Sequence, residues 1–248
     1  MTSTAAVPPL ETAPLSEVER VVDTFVAPVK TFTDLRRSAN WLVPAVLLIL
    51  GTLALVFVAE RKLGFERISE NQLALQPKQA ARLDQLSPED RARQMQLVIK
   101  INRIGSYVSP AIVLIFLIII AAVLLGTFNF GLGAELRFGQ CLAVVMYASL
   151  PGVIKELLAI LALAMGGGAA FTFQNPVASN LSGLVDINSH FLYSVSVAVD
   201  VFNIWTLILT GIGFSCLTKL KRETCLAVVF GWWITYVLVA SGLSAAFS

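Results

Sequence analysis

The chain has 248 residues, of which 56% are hydrophobic and 14% charged, and its formal net charge is +2. A soluble domain carries about a quarter charged residues. This composition, with a mean hydropathy of +0.78, therefore argues against a soluble fold and for a membrane protein, and the small net charge gives no reason to expect nucleic acid as a partner.

Residues 1–15 are polar and proline-rich and read as a disordered N-terminal tail. No cleavage-type site follows the first apolar run, so that run is expected to remain as a span rather than leave as a signal peptide. Residues 16–29, SEVERVVDTFVAPV, carry Val18, Val21, Val22, Phe25 and Val29 at helical spacing, and Ser16 with Glu19 makes a capping box. Pro28 limits this helix, and Phe32 and Leu35 follow before Trp41. Charge beside an apolar stripe suits an interfacial helix among the headgroups, with Trp41 as anchor. A plain juxtamembrane linker is the alternative.

Five apolar runs are long enough to cross a bilayer, which takes about 20 helical residues. They are placed at 41–59, 108–128, 139–165, 195–217 and 225–247. The expected fold class is thus an all-α polytopic bundle with five transmembrane helices, forming one membrane domain over 16–248. Between the first two spans, 60–107 is too long for a simple loop. Ser87 as cap, Pro88 at the first helical position and Glu89 and Asp90 in the first turn start a helix there. A helical hairpin over the outer face is expected, presenting either a solvated charged face or a partner surface. The connection FNFGLGAELRFGQ, 128–140, reads as an inside turn; no GK[ST] follows its glycines, so it is no phosphate loop.

Cys141, Cys216 and Cys225 lie in or beside spans without CxxC spacing and read as buried inert thiols. His190 is the only histidine, which removes most zinc chemistry, and a serine–histidine hydrolase would need it far from the span centres. No catalytic, cofactor-binding or metal residues are assigned, and no cofactor is expected.

The informative anomaly is MYASLPGVIKELLAIL, 146–161, which sets Lys155 and Glu156 side by side in an apolar run. Adjacent helical residues point about 100° apart and cannot pair with each other. An unpaired lysine at mid-membrane costs about 2.5–3.5 kcal/mol on insertion scales. The fourth run supplies Asp200. On one continuous helix, Ser196, Asp200, Asn203, Thr206, Thr210 and Gly213 would share a side. Lys155 lies 16 residues from Gly139, and Asp200 lies 17 from Leu217, so on antiparallel helices they reach similar depth. Lys155 and Asp200 are therefore expected to meet. Lys155, Glu156, Asp200 and Asn203 form the candidate intramembrane polar cluster. It reads as a structural ion pair setting helix register, as a polar cavity for a solute, lipid headgroup or proton, or as side chains snorkelling from a span that ends early. Pro151 is expected to kink the third span near Tyr147, whose carbonyl could then take a donor from a neighbouring helix.

Basic residues mark the cytoplasmic side. The connection TKLKRET, 218–224, holds Lys219, Lys221 and Arg222, whereas 166–194 holds no Lys or Arg. Over five spans this puts the N-terminus in the cytoplasm, the C-terminus outside and the 60–107 insert extracytoplasmic. The insert's nine Lys/Arg resist that orientation.

Three segments in order, FVAPVKTFTDLRRSANWLVPAVLL, NFGLGAELRFGQCLAVVMYASLP and VDVFNIWTLILTGIGFSCLTKLKRETCLAVVFGWW, resemble the Yip domain family, named for its Ypt/Rab-interacting members. Pro28, Phe32, Trp41 and Pro44 match its entry segment, Tyr147, Ala148 and Pro151 its centre, and Asp200, Trp205, Gly211 and Gly213 its fourth span; the long insert is similar to that of bacterial members. The resemblance implies a five-span membrane protein with a cytoplasmic N-terminus. Eukaryotic relatives shape and traffic early secretory membranes and bind one another. The Asp-Leu-Tyr segment that those relatives carry before the first span is missing here, so small-GTPase binding is not carried over. The expected function is a non-enzymatic scaffold or organiser in the cell (inner) membrane, whose partners are the lipid bilayer, itself and other membrane proteins. The alternative is a small permease-like transport component with a polar intramembrane path.

Overall fold

The structure, a computed structural model, describes residues 13–187 and 189–247. Most of the expected N-terminal tail, residues 1–12, lies outside the described residues. The rest is all-helical, with no strand among the described residues.

The chain begins with α1 (Glu17–Val26) and α2 (Pro28–Asp34). Ser16 Oγ accepts the Glu19 N–H at 3.3 Å, and Glu19 Oε2 accepts the Ser16 N–H at 2.8 Å, closing the capping box. The two helices turn part of their charge inward and leave Glu19 and Lys30 exposed. Val18, Val22 and Val26 are exposed, while Arg20, Thr24, Thr31 and Asp34 are buried. The inward polar groups satisfy one another: Arg20 contacts Asp34 at 2.7 Å and Glu17 at 3.1 Å, and the Thr24 and Thr31 hydroxyls both donate to the Arg20 carbonyl. The apolar residues divide: Val21 and Phe25 pack against the core, while Val18, Val22, Val26 and Val29 stay exposed.

Four helical stretches among the described residues are long and apolar enough to cross a membrane: Leu42–Lys62, Pro88–Gly131, Phe138–Ala164 and Arg222–Ser244. The first is α3 (Leu42–Lys62). After it come α4 (Gly64–Ala74) and α5 (Pro77–Asp84), then α6 (Pro88–Gly126), which passes through a π turn at Thr127–Gly131. The insert is therefore not a separate hairpin: its last arm runs without a break through 107/108 into the second span. Ser87 caps α6 by accepting the Asp90 N–H at 3.2 Å. Pro110 lies inside α6 and leaves the Ser106 carbonyl without its amide partner, and the Ser109 hydroxyl donates to that carbonyl at 2.7 Å. The helix survives its proline because the neighbouring serine supplies the missing donor.

The third span is two pieces, α7 (Phe138–Ala148) and α8 (Pro151–Ala164), with Pro151 the first residue of the second. The Tyr147 carbonyl accepts the Leu150 N–H at 3.1 Å, so the chain's own tight turn takes it up and no neighbouring helix is needed.

The fourth expected span, 195–217, is corrected more strongly. It divides into α9 (His190–Ala198) and α10 (Val201–Leu217), and Asp200 sits extended between them. Ser196 thus does not share a helix face with Thr206 or Thr210. α10 alone has 17 residues, about 26 Å of helix, short of the roughly 30 Å hydrocarbon core. The last helix is α11 (Arg222–Phe247).

Two apolar clusters hold the bundle. One gathers Phe32, Phe128, Tyr147 and Phe214 around α7, with the Phe128 and Phe214 rings stacked at 4.4 Å. The other joins Leu55 and Ala59 of α3 to Phe65 and Ile68 of α4, Ala159 and Leu163 of α8, and Phe171. The second cluster seats the insert on the bundle, so the insert is packed structure rather than a free loop.

Candidate functional site: a buried ionic junction at a helix break

Three elements build the site. α8 carries Lys155 and Glu156, the α9–α10 break supplies Asp200, and α3 supplies Gly51 and Thr52. Asp200 is 1% exposed, and its carboxylate is fully engaged. Oδ1 accepts the backbone N–H groups of Phe202 at 2.9 Å and Asn203 at 3.3 Å, capping α10. Oδ2 accepts Lys155 Nζ at 3.0 Å and the Ser179 hydroxyl. A carboxylate at a helix N-terminus is also favoured by the helix dipole. The break itself is stitched by an isolated antiparallel bridge between Asn180 and Asp200, where the Val201 N–H donates to the Ser179 carbonyl at 3.0 Å, and beside it the Leu181 N–H donates to the Ser196 carbonyl of α9 at 3.1 Å.

Glu156 faces the other way, towards α3. Thr52 Oγ1 bonds to its Oε1 at 2.6 Å, and a Cβ at Gly51 would overlap its Oε2. Gly51 thus makes the space that the carboxyl occupies. Oε2 is buried and has no hydrogen-bond partner among the described residues. Asn203 does not join the cluster: it is exposed, and its amide reaches back to the Ala198 carbonyl at 3.3 Å across the break. The structure therefore brings Lys155 and Asp200 together, gives Glu156 a separate contact, and removes Asn203.

Sequence reasoning missed Ser179, Thr52 and Gly51. A glycine–threonine pair inside an apolar run is a signal for close helix approach, but its partner was not readable. Also missed was a second junction at the entry segment. Glu17 accepts bonds from the Tyr147 hydroxyl at 2.7 Å and from Asn40 at 2.9 Å, tying α1 to α7. Burial works against the charge on Arg20 beside it, yet Asp34 and Glu17 hold its pKa above the ordinary arginine value.

Chemically, the Lys155–Asp200 junction resembles a register lock. All the acceptor capacity of Asp200 is consumed within the chain. A cavity of about 850 Å³ lies at the insert end of the bundle, lined in part by α5 and α9, and neither Lys155 nor Asp200 lines it.

Neither a curated protein nor a solved structure matches the chain. The family model for the Yip1 domain matches residues 22–243, from α1 to the last turns of α11. With four helices long and apolar enough to span a bilayer, the chain belongs to the Yip1 family and is a multi-pass membrane protein.

Proposed function

We propose that the chain is a non-enzymatic organiser of the cell (inner) membrane, working through helix and lipid contacts with its N-terminus cytoplasmic and its insert outside. The observation that carries this reading is the saturation of Asp200, whose four donors all come from the chain itself. A site meant to take a solute or ion keeps acceptor capacity free; this one spends it on joining α8 to the α9–α10 break. The outward valines of α1 support the lipid half of the reading, with α1–α2 as the interfacial element of the cytoplasmic leaflet.

A second reading rests on Glu156, whose Oε2 is buried without a partner, and on the broken fourth helix. Both features suit a small permease-like component with a polar path past Lys155, Glu156 and Asp200. One experiment separates the two: cross-linking and co-purification of the full chain from native membrane with lipids retained. The organiser reading expects complexes containing further copies or other membrane proteins, unchanged by Glu156→Gln. A lone monomer, or a constant ATPase partner, would overturn it.

A further inference from the structure

The sequence QPKQAARLDQ folds as α5, where Lys78 and Arg82 stand four residues apart and so share a face. That face lines the 850 Å³ cavity. Neither cation makes an ion pair among the described residues, and Asp84, the acid on the same helix, is taken by Arg91 at 3.2 Å. The rest of the lining is rich in hydrogen-bonding groups, including Gln174 from the α8–α9 connection and His190 and Tyr193 from α9, and no Asp or Glu lines the cavity. Two cations without an ion pair, lining one cavity with amide and hydroxyl groups and no acid, suit the charge-assisted hydrogen bonds that a phosphate ester accepts.

What surrounds the cavity decides between a lipid and free phosphate. α9 is pinned to the end of α11 by a Ser241–Ser194 hydrogen bond at 3.0 Å. Within three residues of this contact along the same two helices, Phe191 is 39% exposed, Leu192 57% and Leu243 55%. A basic polar cavity thus opens beside an apolar surface at the ends of membrane helices. That pairing fits one molecule with an anionic head and acyl tails, and free phosphate would leave the apolar flank unused. The volume lies within the range of small-ligand sites, about 300–1,000 Å³.

We propose that this cavity binds the headgroup of an anionic phospholipid from the leaflet on the insert side, with Lys78 and Arg82 on the phosphate and the acyl chains along α9 and α11. The proposal deepens the lipid-contact half of the function above and rests on it.

The test uses the full chain in a neutral detergent, titrated with short-chain phosphatidylglycerol, short-chain phosphatidylcholine, glycerol phosphate or inorganic phosphate, and read by native mass spectrometry. Phosphatidylglycerol should bind about tenfold or more tightly than phosphatidylcholine, and the two phosphates only weakly. Lys78→Gln/Arg82→Gln should weaken phosphatidylglycerol binding by about tenfold or more, since two charge-assisted bonds are lost. Lys100→Gln, exposed and outside the cavity lining, should leave binding unchanged; unaltered helical circular dichroism shows that each variant is folded. Equal binding of the two lipids, undiminished binding in the double variant, or either phosphate binding as tightly as phosphatidylglycerol would overturn the proposal. Self-association measured in the same preparations separates the failures. Its loss with lipid binding intact counts against the organiser alone, and unaltered lipid binding in the double variant counts against this site alone.

Discussion

Asp200 serves two structures with one carboxylate: Oδ1 starts α10, and Oδ2 takes Lys155 and Ser179. This double use makes substitutions at the pair unequal. Lys155→Met removes the cation but leaves the buried Asp200 carboxylate two backbone amides and the Ser179 hydroxyl as partial compensation, so the loss should be smaller than for a substitution that also removes the cap. Asp200→Leu strands Lys155, 17% exposed at its side chain, and uncaps α10. A buried charge robbed of its partner costs about 3–5 kcal/mol, and a lost N-cap about 1 kcal/mol. Exchanging the two residues restores the ion pair but not the cap, because an ammonium group has no acceptor. Unfolding in detergent should therefore order the variants as Lys155→Met above Asp200→Asn, with Asp200→Leu and the exchanged pair lowest. An exchanged pair as stable as the parent would show that capping contributes nothing there.

At the scale of elements, what could be read from the sequence was whatever depends on neighbours along the chain. The Ser16–Glu19 box and the Ser87–Pro88 start are local chemistry, and both stand where the residues put them. The meeting of Lys155 with Asp200 was legible from sign, depth and the expense of a lone ion in hydrocarbon. The break at Asp200 was not, because counting at helical period presumes continuity, and an apolar run hides an N-cap that would be obvious in a polar one. The inward turn of Arg20 was hidden for another reason: its setting needs Asp34 and Tyr147, brought together only by tertiary packing. Close helix approach was likewise readable only in part. A Cβ at Gly211 would lie 2.5 Å from Leu226 Cδ2 and 3.1 Å from its Cα, whereas at Gly231 it would meet nothing within 4 Å. Gly211→Ala should thus force α10 from α11 and cost about 1–3 kcal/mol. Gly231→Ala should leave stability unchanged or raise it. Thermal unfolding of the two variants side by side checks the contrast, and equal behaviour would mean that α11 yields freely.

For the whole molecule the open physical contest is between two basic regions at opposite ends of the bundle. Glu60, at the end of α3, holds both Arg103 and Tyr107 of α6, which fixes the insert at that end. Lys219 and Lys221, between α10 and α11, and Arg222, the first residue of α11, lie at the other. Only one end can follow the positive-inside bias. The short connection should win, because its three cations sit within a few residues of two helix ends and make no ion pair among the described residues. The insert instead spreads its charge over a folded unit, and it neutralises Arg91 on Asp84 and Arg103 on Glu60. The native thiols help the test. Cys141, Cys216 and Cys225 are buried, so single cysteines can be introduced with little background labelling. A membrane-impermeant maleimide should label Gln85→Cys in intact cells and Lys221→Cys only after permeabilisation. The reverse pattern would place the insert in the cytoplasm and move the phospholipid cavity to the inner leaflet, where anionic lipid is read from the other side.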